Sequence, residues 1–255
     1  MLHLGDLRSL QGKREGGRRT DAQGPDWSRR FAGLAAAARD PRLRRFYAES
    51  LPAAATPMGE VPMVAVDIET TGLDPRRDGI VSIGAIPMRL DRIQSSASHY
   101  WVLRPRARLN PESVVIHGIT HAQIEAAPDF GAILGELLAV LAGRVVVVHC
   151  REIERAFLDA ALRACIGEGI EFPVIDTMAL ESRLQRRPPA AWLARVFGRR
   201  PAPLSVRLAD CRARYRLPRY RAHHALTDAL ATAELLQAQL AHHFGPEAAV
   251  RTLWQ

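Results

Sequence analysis

Cysteine is scarce in this chain: Cys150, Cys165 and Cys211 are the only three in 255 residues, widely separated and without a Cys-x-x-Cys pair. That count and spacing offer neither a disulfide framework nor a zinc knuckle, and they suit a reducing, cytoplasmic compartment. Long apolar runs are missing as well, so no segment reads as a membrane span. The opening "MLHLGDLRSLQGKREGGRRT" lacks the apolar core of a secretory signal. The expectation is a soluble, unexported protein with no membrane partner. Lysine is nearly absent, Lys13 standing alone among 35 basic residues. A GC-rich genome explains that bias as well as a preference for bidentate phosphate contacts does. No internal repeat is visible.

What is present is a net charge of +8, a pI near 10.3 and an apolar content of 47%. The charge favours an acidic partner, nucleic acid being the commonest, although it says nothing about fold. Residues 1–24 read as a flexible basic tail. In "DWSRRFAGLAAAARDPRLRRFYAES", Phe31, Leu34 and Ala38 fall at helical spacing and Asp40-Pro41 interrupts, which predicts one or two short helices. Pro52, Pro57 and Pro62 mark an extended linker, and a domain boundary is placed near residue 60, separating a 1–60 extension from a 61–255 domain. Beyond it, "MVAVDIET", "GIVSIGAIPMRL" and "HYWVLRP" predict three strands in hairpin-like succession, followed by a loop through "NPESVVIHGITHAQIEAAP". "DFGAILGELLAVLAG" and "REIERAFLDAALRAC" have helical periodicity, "RVVVVHC" and "FPVID" read as strands, and the remainder reads helical, most clearly in "LSVRLADCRARY" and "HALTDALATAELLQAQLAHHF". The pattern implies an α/β fold with a mixed five-stranded sheet flanked by helices.

Asp67 and Glu69 close the first of these strands. Side chains two apart on a strand project from one face, so the pair stands roughly 6 to 7 Å apart at the backbone. That span suits bridging by hard divalent ions, for which carboxylates are the natural ligands. The alternative is a strand that simply ends at a solvent-exposed turn. "DIETTGLD", "HGIT" at 117–120 and "HHALTDALATAEL" from 223 resemble, in the same order, the motifs of the DEDDh 3′-to-5′ exonucleases, a family that includes the epsilon subunit of bacterial DNA polymerase III. The resemblance spans about residues 61–243 and implies a ribonuclease H-like fold, with two Mg²⁺ or Mn²⁺ ions held by Asp67, Glu69, Glu154 and Asp228. Thr70, Thr71 and Gly72 are then candidates for contact with the terminal nucleotide, although Gly72 is equally explained by a turn requiring positive φ. Of the two adjacent histidines only His223 lies five positions before Asp228, so His223 is the candidate general base, able to take a proton from the attacking water. Asp228 is expected in the first turn of the last helix.

The middle motif departs from the family. "HCREIERAFL" has His149, Phe157 and Leu158 in place, but Cys150 replaces an Asn, Ile153 a Phe and Glu154 the metal-binding Asp. Either Glu154 still reaches the metal, or the site is impaired and the protein binds nucleic acid without cutting it efficiently. His149 and His117 are candidates for substrate contact, each with a structural alternative. Asp176 is expected to cap a helix, and Cys150 to be a small packed residue. The Arg-rich stretch 183–221, including Arg186, Arg187, Arg199 and Arg200, either lines the path of the substrate backbone or forms a solvated basic face. The activity implied is release of nucleoside monophosphates from a single-stranded or frayed DNA 3′ end, in repair or proofreading, with RNA trimming or degradation of oligoribonucleotides as the alternative. A DNA polymerase or another replication or repair protein is the expected partner.

Overall fold

A computed structural model of the chain describes residues 25–106, 118–185 and 204–255. The basic tail, His117 and the arginines at 186, 187, 199 and 200 lie outside them. The central strand, β1 (Met63–Thr70), pairs antiparallel with β2 (Ile80–Arg89) and parallel with β5 (Val145–Val148), which in turn pairs parallel with β6 (Val174–Asp176). β3 (Arg92–Ile93) and β4 (His99–Val102) both pair with β2, at opposite ends, giving the order β3-β2-β1-β5-β6 with β4 beside β2. The sheet is mixed, as expected, but has six strands where five were predicted. The sixth is the two-residue β3, formed as the chain folds back after Arg89 and the Gln94 amide donates to the Pro87 carbonyl. Two residues carry no periodicity to detect.

Helices begin where short acidic or hydroxyl side chains can accept from free amides. Asp26 caps α1 (Trp27–Ala37), Asp40 caps α2 (Pro41–Ala48), and Asp129 caps α4 (Phe130–Leu141). The stretch predicted as one long loop contains a helix, α3 (His121–Ala126), closed by a reciprocal capping box between Thr120 and Gln123. α5 (Arg151–Ile166) ends at Gly167, whose φ of +74° suits a left-handed cap. α6 (Thr177–Gln185) and α7 (Leu208–Arg214) pack against the last helix, α8 (Ala225–His243), which lies across β1 and β2.

The first helices join the same core. Trp27, Phe31, Phe46 and Tyr47 are buried in a chain of edge-on and tilted ring contacts with centroids 5.1 to 6.1 Å apart. They share one apolar cluster with the sheet strands and α4. Polar contacts fix the docking onto the turn between α5 and β6: the Arg39 and Asp40 amides donate to Glu168, Arg30 pairs with Glu171, and the Glu171 amide donates to the Tyr47 hydroxyl. The proline-rich segment after α2 is threaded against the C-terminus, with Pro57 bridged to Ala249 and Met58 and Val61 wholly buried.

Because Phe31 belongs to the common core, Phe31→Ala should destabilise the whole chain by about 3–5 kcal/mol, read as a lower urea midpoint for a single cooperative transition. A first transition that leaves the sheet's unfolding unmoved would mean that residues 27–48 fold as a separate unit.

Candidate active site

Asp67, Glu69 and Asp228 are brought together so that one carboxylate oxygen from each lies within 4.8 Å of the others. β1 supplies the first two from one face, and α8 supplies the third from its first turn. The juxtaposition depends on Gly84, which sits opposite Asp67 in the β1–β2 register. A Cβ there would collide with the backbone of Ala225 and Leu226, so only glycine lets the start of α8 settle directly on the strand beside Asp67. The register shift between Glu69 and Thr70 ends the regular ladder where the chain turns away from the site.

Glu154 enters from the first turn of α5 and is 4% exposed. Its Oε2 is buried with no hydrogen-bond partner. It lies near enough to Asp67 to raise that group's pKa, yet outside the three-carboxylate group. Burial and then the Glu154, Asp228 and Glu69 charges push Asp67 well above the usual carboxylate range. Burial, followed by the Asp228 charge, lifts Glu69 to about 8. Burial raises Glu154 and Asp228 too. Among the described residues no arginine or lysine forms an ion pair with any of the four. Crowded acids with an orphaned buried oxygen are a poor arrangement for an isolated protein and a fitting donor set for a hard divalent cation.

The candidate base stands at the rim. His223 has φ +68°, in the left-handed region that a β-carbon disfavours, and its amide donates to Asp228 Oδ2 at 2.7 Å. Its ring is exposed and makes no hydrogen bond among the described residues. His224 is used otherwise: it caps α8, its Nδ1 accepting from the Thr227 amide at 3.4 Å, and its ring stacks on Tyr100.

The turn after Glu69 is held by its own side chains. Thr71 is buried, donating to Asp78 Oδ1 and accepting from the Gly79 amide, while the Thr70 hydroxyl donates to the Gly72 carbonyl. Gly72 does not have the positive φ that was offered as its explanation. It is small because a Cβ would stand 2.5 Å from Asp78 Oδ2, in the space of the carboxylate that staples the turn. His149 is enclosed, with Nε2 against the Val206 carbonyl at 2.9 Å and Nδ1 against the Thr177 hydroxyl at 2.7 Å. Burial, before any other cause, holds its pKa down at about 4, so the ring is neutral. Asp176 caps α6 through the Met178 and Ala179 amides, as expected. Burial pushes the Cys150 thiol far up, consistent with an inert packed residue. Within the basic stretch, Arg212 donates to the Ala231 carbonyl and Glu234, and Arg214 to Glu181, so these two serve the fold. Gly84 and Tyr100 escaped sequence reading, because neither sits in a motif and their part depends on where α8 lands.

Residues 64–236 match the RNase T family model, described as exonuclease. The chain therefore belongs to the RNase T exonuclease family, and its fold is ribonuclease H-like. A DNA polymerase III subunit epsilon of Treponema pallidum is 29% identical over 183 residues, covering 72% of this chain and 78% of that protein. A PolC-type DNA polymerase III of Thermotoga maritima is 32% identical over 49% of this chain, which spans only 9% of its length. Among solved structures, the nuclease domain of 3′hExo, a DEDDh family member bound to rAMP, superposes with a TM-score of 0.59 at 15% identity, covering 73% of this chain and 94% of that one. Exonuclease X in complex with 5′ overhanging duplex DNA gives 0.55 at 21% identity, covering 74% and 98%. Among the described residues no helix is long and apolar enough to cross a membrane.

Two outcomes test the geometry. Mn²⁺ should raise the melting temperature of the parent protein, and Gly84→Ala, by displacing the start of α8, should abolish most of that rise, read by thermal denaturation with metal and with chelator. Glu69→Gln should show a pH-dependent gain. Between its ordinary 4.5 and about 8 the folded protein keeps a proton on Glu69 that the unfolded chain has released, so the carboxyl costs stability increasingly as pH rises through that window. In chelator, the variant should melt within a degree or so of the parent near pH 4.5 and higher by roughly 4 °C or more at pH 8.

Proposed function

We propose that the chain is a divalent-metal-dependent 3′-to-5′ exonuclease that releases nucleoside monophosphates from single-stranded or frayed DNA ends, in repair or in proofreading beside a polymerase. The observation that carries this is the convergence of Asp67, Glu69 and Asp228 within 4.8 Å beside the partnerless oxygen of Glu154. Asp67, Glu69, Glu154 and Asp228 would hold two Mg²⁺ or Mn²⁺ ions. Bound there, such ions supply Lewis acidity toward the phosphate and ease deprotonation of the attacking water. His223, with an exposed ring at the rim, takes that water's proton as general base. Its amide on Asp228 ties base and carboxylate into one rigid unit, so proton acceptor and phosphate-facing acids keep their spacing. Thr70, Thr71 and Gly72 offer the terminal nucleotide a stiff backbone edge, the Thr71 side chain serving that edge from within. Enclosure of both His149 nitrogens favours a supporting role beneath the site over direct contact. His117 is carried as a substrate contact by the resemblance alone.

The DNA substrate, and a polymerase or repair partner in the cytoplasm, rest on likeness to the polymerase III relatives, the first of which are far longer than this chain. RNA ends are the alternative, a difference that contacts to the 2′-OH would decide. On a 5′-labelled single-stranded DNA oligonucleotide the protein should give a ladder shortening from the 3′ end with Mn²⁺ or Mg²⁺ and none with chelator, and matched RNA should be cut more slowly. Asp67→Ala should slow cleavage by about three orders of magnitude, as loss of several kcal/mol of charge stabilisation implies. Glu154→Gln should also be severely slowed, whereas equal activity would mean the lengthened acid plays no part.

A further inference from the structure

Tyr100, Gly84 and Asp67 form one row across three strands: Tyr100 is paired with Gly84 in the β2–β4 register, and Gly84 with Asp67 in the β1–β2 register. Directly opposed residues share a face, so Tyr100 stands on the face that carries Asp67, and the start of α8 rests on the gap left by glycine between them. From that position the Tyr100 ring stacks on His224 with centroids 4.7 Å apart and planes 19° from parallel. The next residue back, His223, holds a left-handed conformation at φ +68°. Such a conformation in a residue with a β-carbon persists only where its surroundings impose it. Two restraints are visible on either side: the His223 amide on Asp228, and the His224 ring clamped between its cap on Thr227 and its stack on Tyr100. The cap bond is long at 3.4 Å, which leaves the stack as the firmer hold on the His224 ring.

We infer that Tyr100 is a positioning residue, which by stacking on His224 fixes the turn that presents His223 to the attacking water. This rests on the reading of His223 as the general base. The stack engages the π-face of the ring, so phenylalanine should substitute where alanine does not. Tyr100 is 36% exposed, so its truncation leaves the core intact.

The test uses the full chain, Mn²⁺ and the labelled DNA oligonucleotide, with Tyr100→Ala, Tyr100→Phe, His223→Gln and the Tyr100→Ala/His223→Gln double variant. Tyr100→Ala should lower kcat by about 10- to 100-fold, the scale of a misplaced catalytic group, with KM within about twofold, while Tyr100→Phe retains kcat within about twofold. The double variant should be no slower than His223→Gln. In NMR spectra, which need neither metal nor turnover, the His224 ring protons should lose their upfield ring-current shift in Tyr100→Ala and keep it in Tyr100→Phe. A rise in KM at unchanged kcat would overturn positioning and make Tyr100 a substrate contact, and a further loss in the double variant would show that it acts apart from His223. If His223→Gln is fully active, the base assignment falls and the inference with it. If His223→Gln is inactive and Tyr100→Ala is not impaired, only the inference falls.

Discussion

Four carboxyl groups are gathered where no basic side chain among the described residues pairs with them, and the architecture around them serves to keep them there. Asp67 and Glu69 come from one strand, Asp228 from the last helix and Glu154 from the first turn of α5. Desolvation opposes that gathering and raises the pKa of all four groups, and repulsion from other carboxylates of the group adds to it at Asp67 and Glu69. The opposing contribution is apolar and rigid: β1 is buried through Val66, and α8 lies across the sheet with Ala229, Ala233, Leu236 and Leu240 buried. Packing of this kind can hold a locally unfavourable site in place, as is common where a cation completes the structure.

Most of the scaffold was legible because its signals are periodic or local. The continuous apolar run of β5, the helical spacing of α5 and α8, and the Asp caps all stand in short windows of sequence. The capping box at Thr120 stood there too, although the surrounding loop character concealed it. The carboxylates were legible as motifs, but their convergence was not a local property. It turns on Gly84, which reads as an ordinary residue of a strand until α8 is seen to lie on it. Gly72 was noticed for the wrong reason, since the need is room for the Asp78 carboxylate and not a positive φ. The helices before residue 60 were read correctly as helices, while their membership of the main core lay in long-range contacts such as Tyr47 with Glu171, which no local pattern encodes.

Arginine serves this fold as well as its charge. The net charge of +8 favours an acidic partner, and several arginines in the described fold face inward or bind it to itself. Arg212 is 4% exposed against Glu234, Arg214 meets Glu181, and Arg155 donates to the Phe172 and Gln255 carbonyls beside the Trp27 and Phe172 rings. The guanidinium's several fixed donors make it suitable for tying loops and termini together. Arg212 and Arg214 are each matched by a glutamate, so the net charge stands while these two guanidinium groups are committed to the fold.

Hydrogen-bond satisfaction separates the acids that build this protein from those that are free to act. Glu181 is as buried as Glu154, yet Arg214, Tyr215 and Gln239 all donate to it; burial alone would raise its pKa, and the Gln239 and Arg214 hydrogen bonds bring it below its usual value. Asp176, equally buried, receives the Met178 and Ala179 amides and lies against Arg151. Asp78 is spent on Thr71 and Asp74. Glu154 has an oxygen with no partner, and a buried carboxylate in that condition is expensive to retain unless something absent from the chain completes it. This is the physical ground for proposing Glu154 as a fourth member of the site although it is one methylene longer than the aspartate the family motif has there. A side chain that had lost its purpose would be free to turn outward, or to be replaced by an apolar residue of similar size at little or no cost in stability.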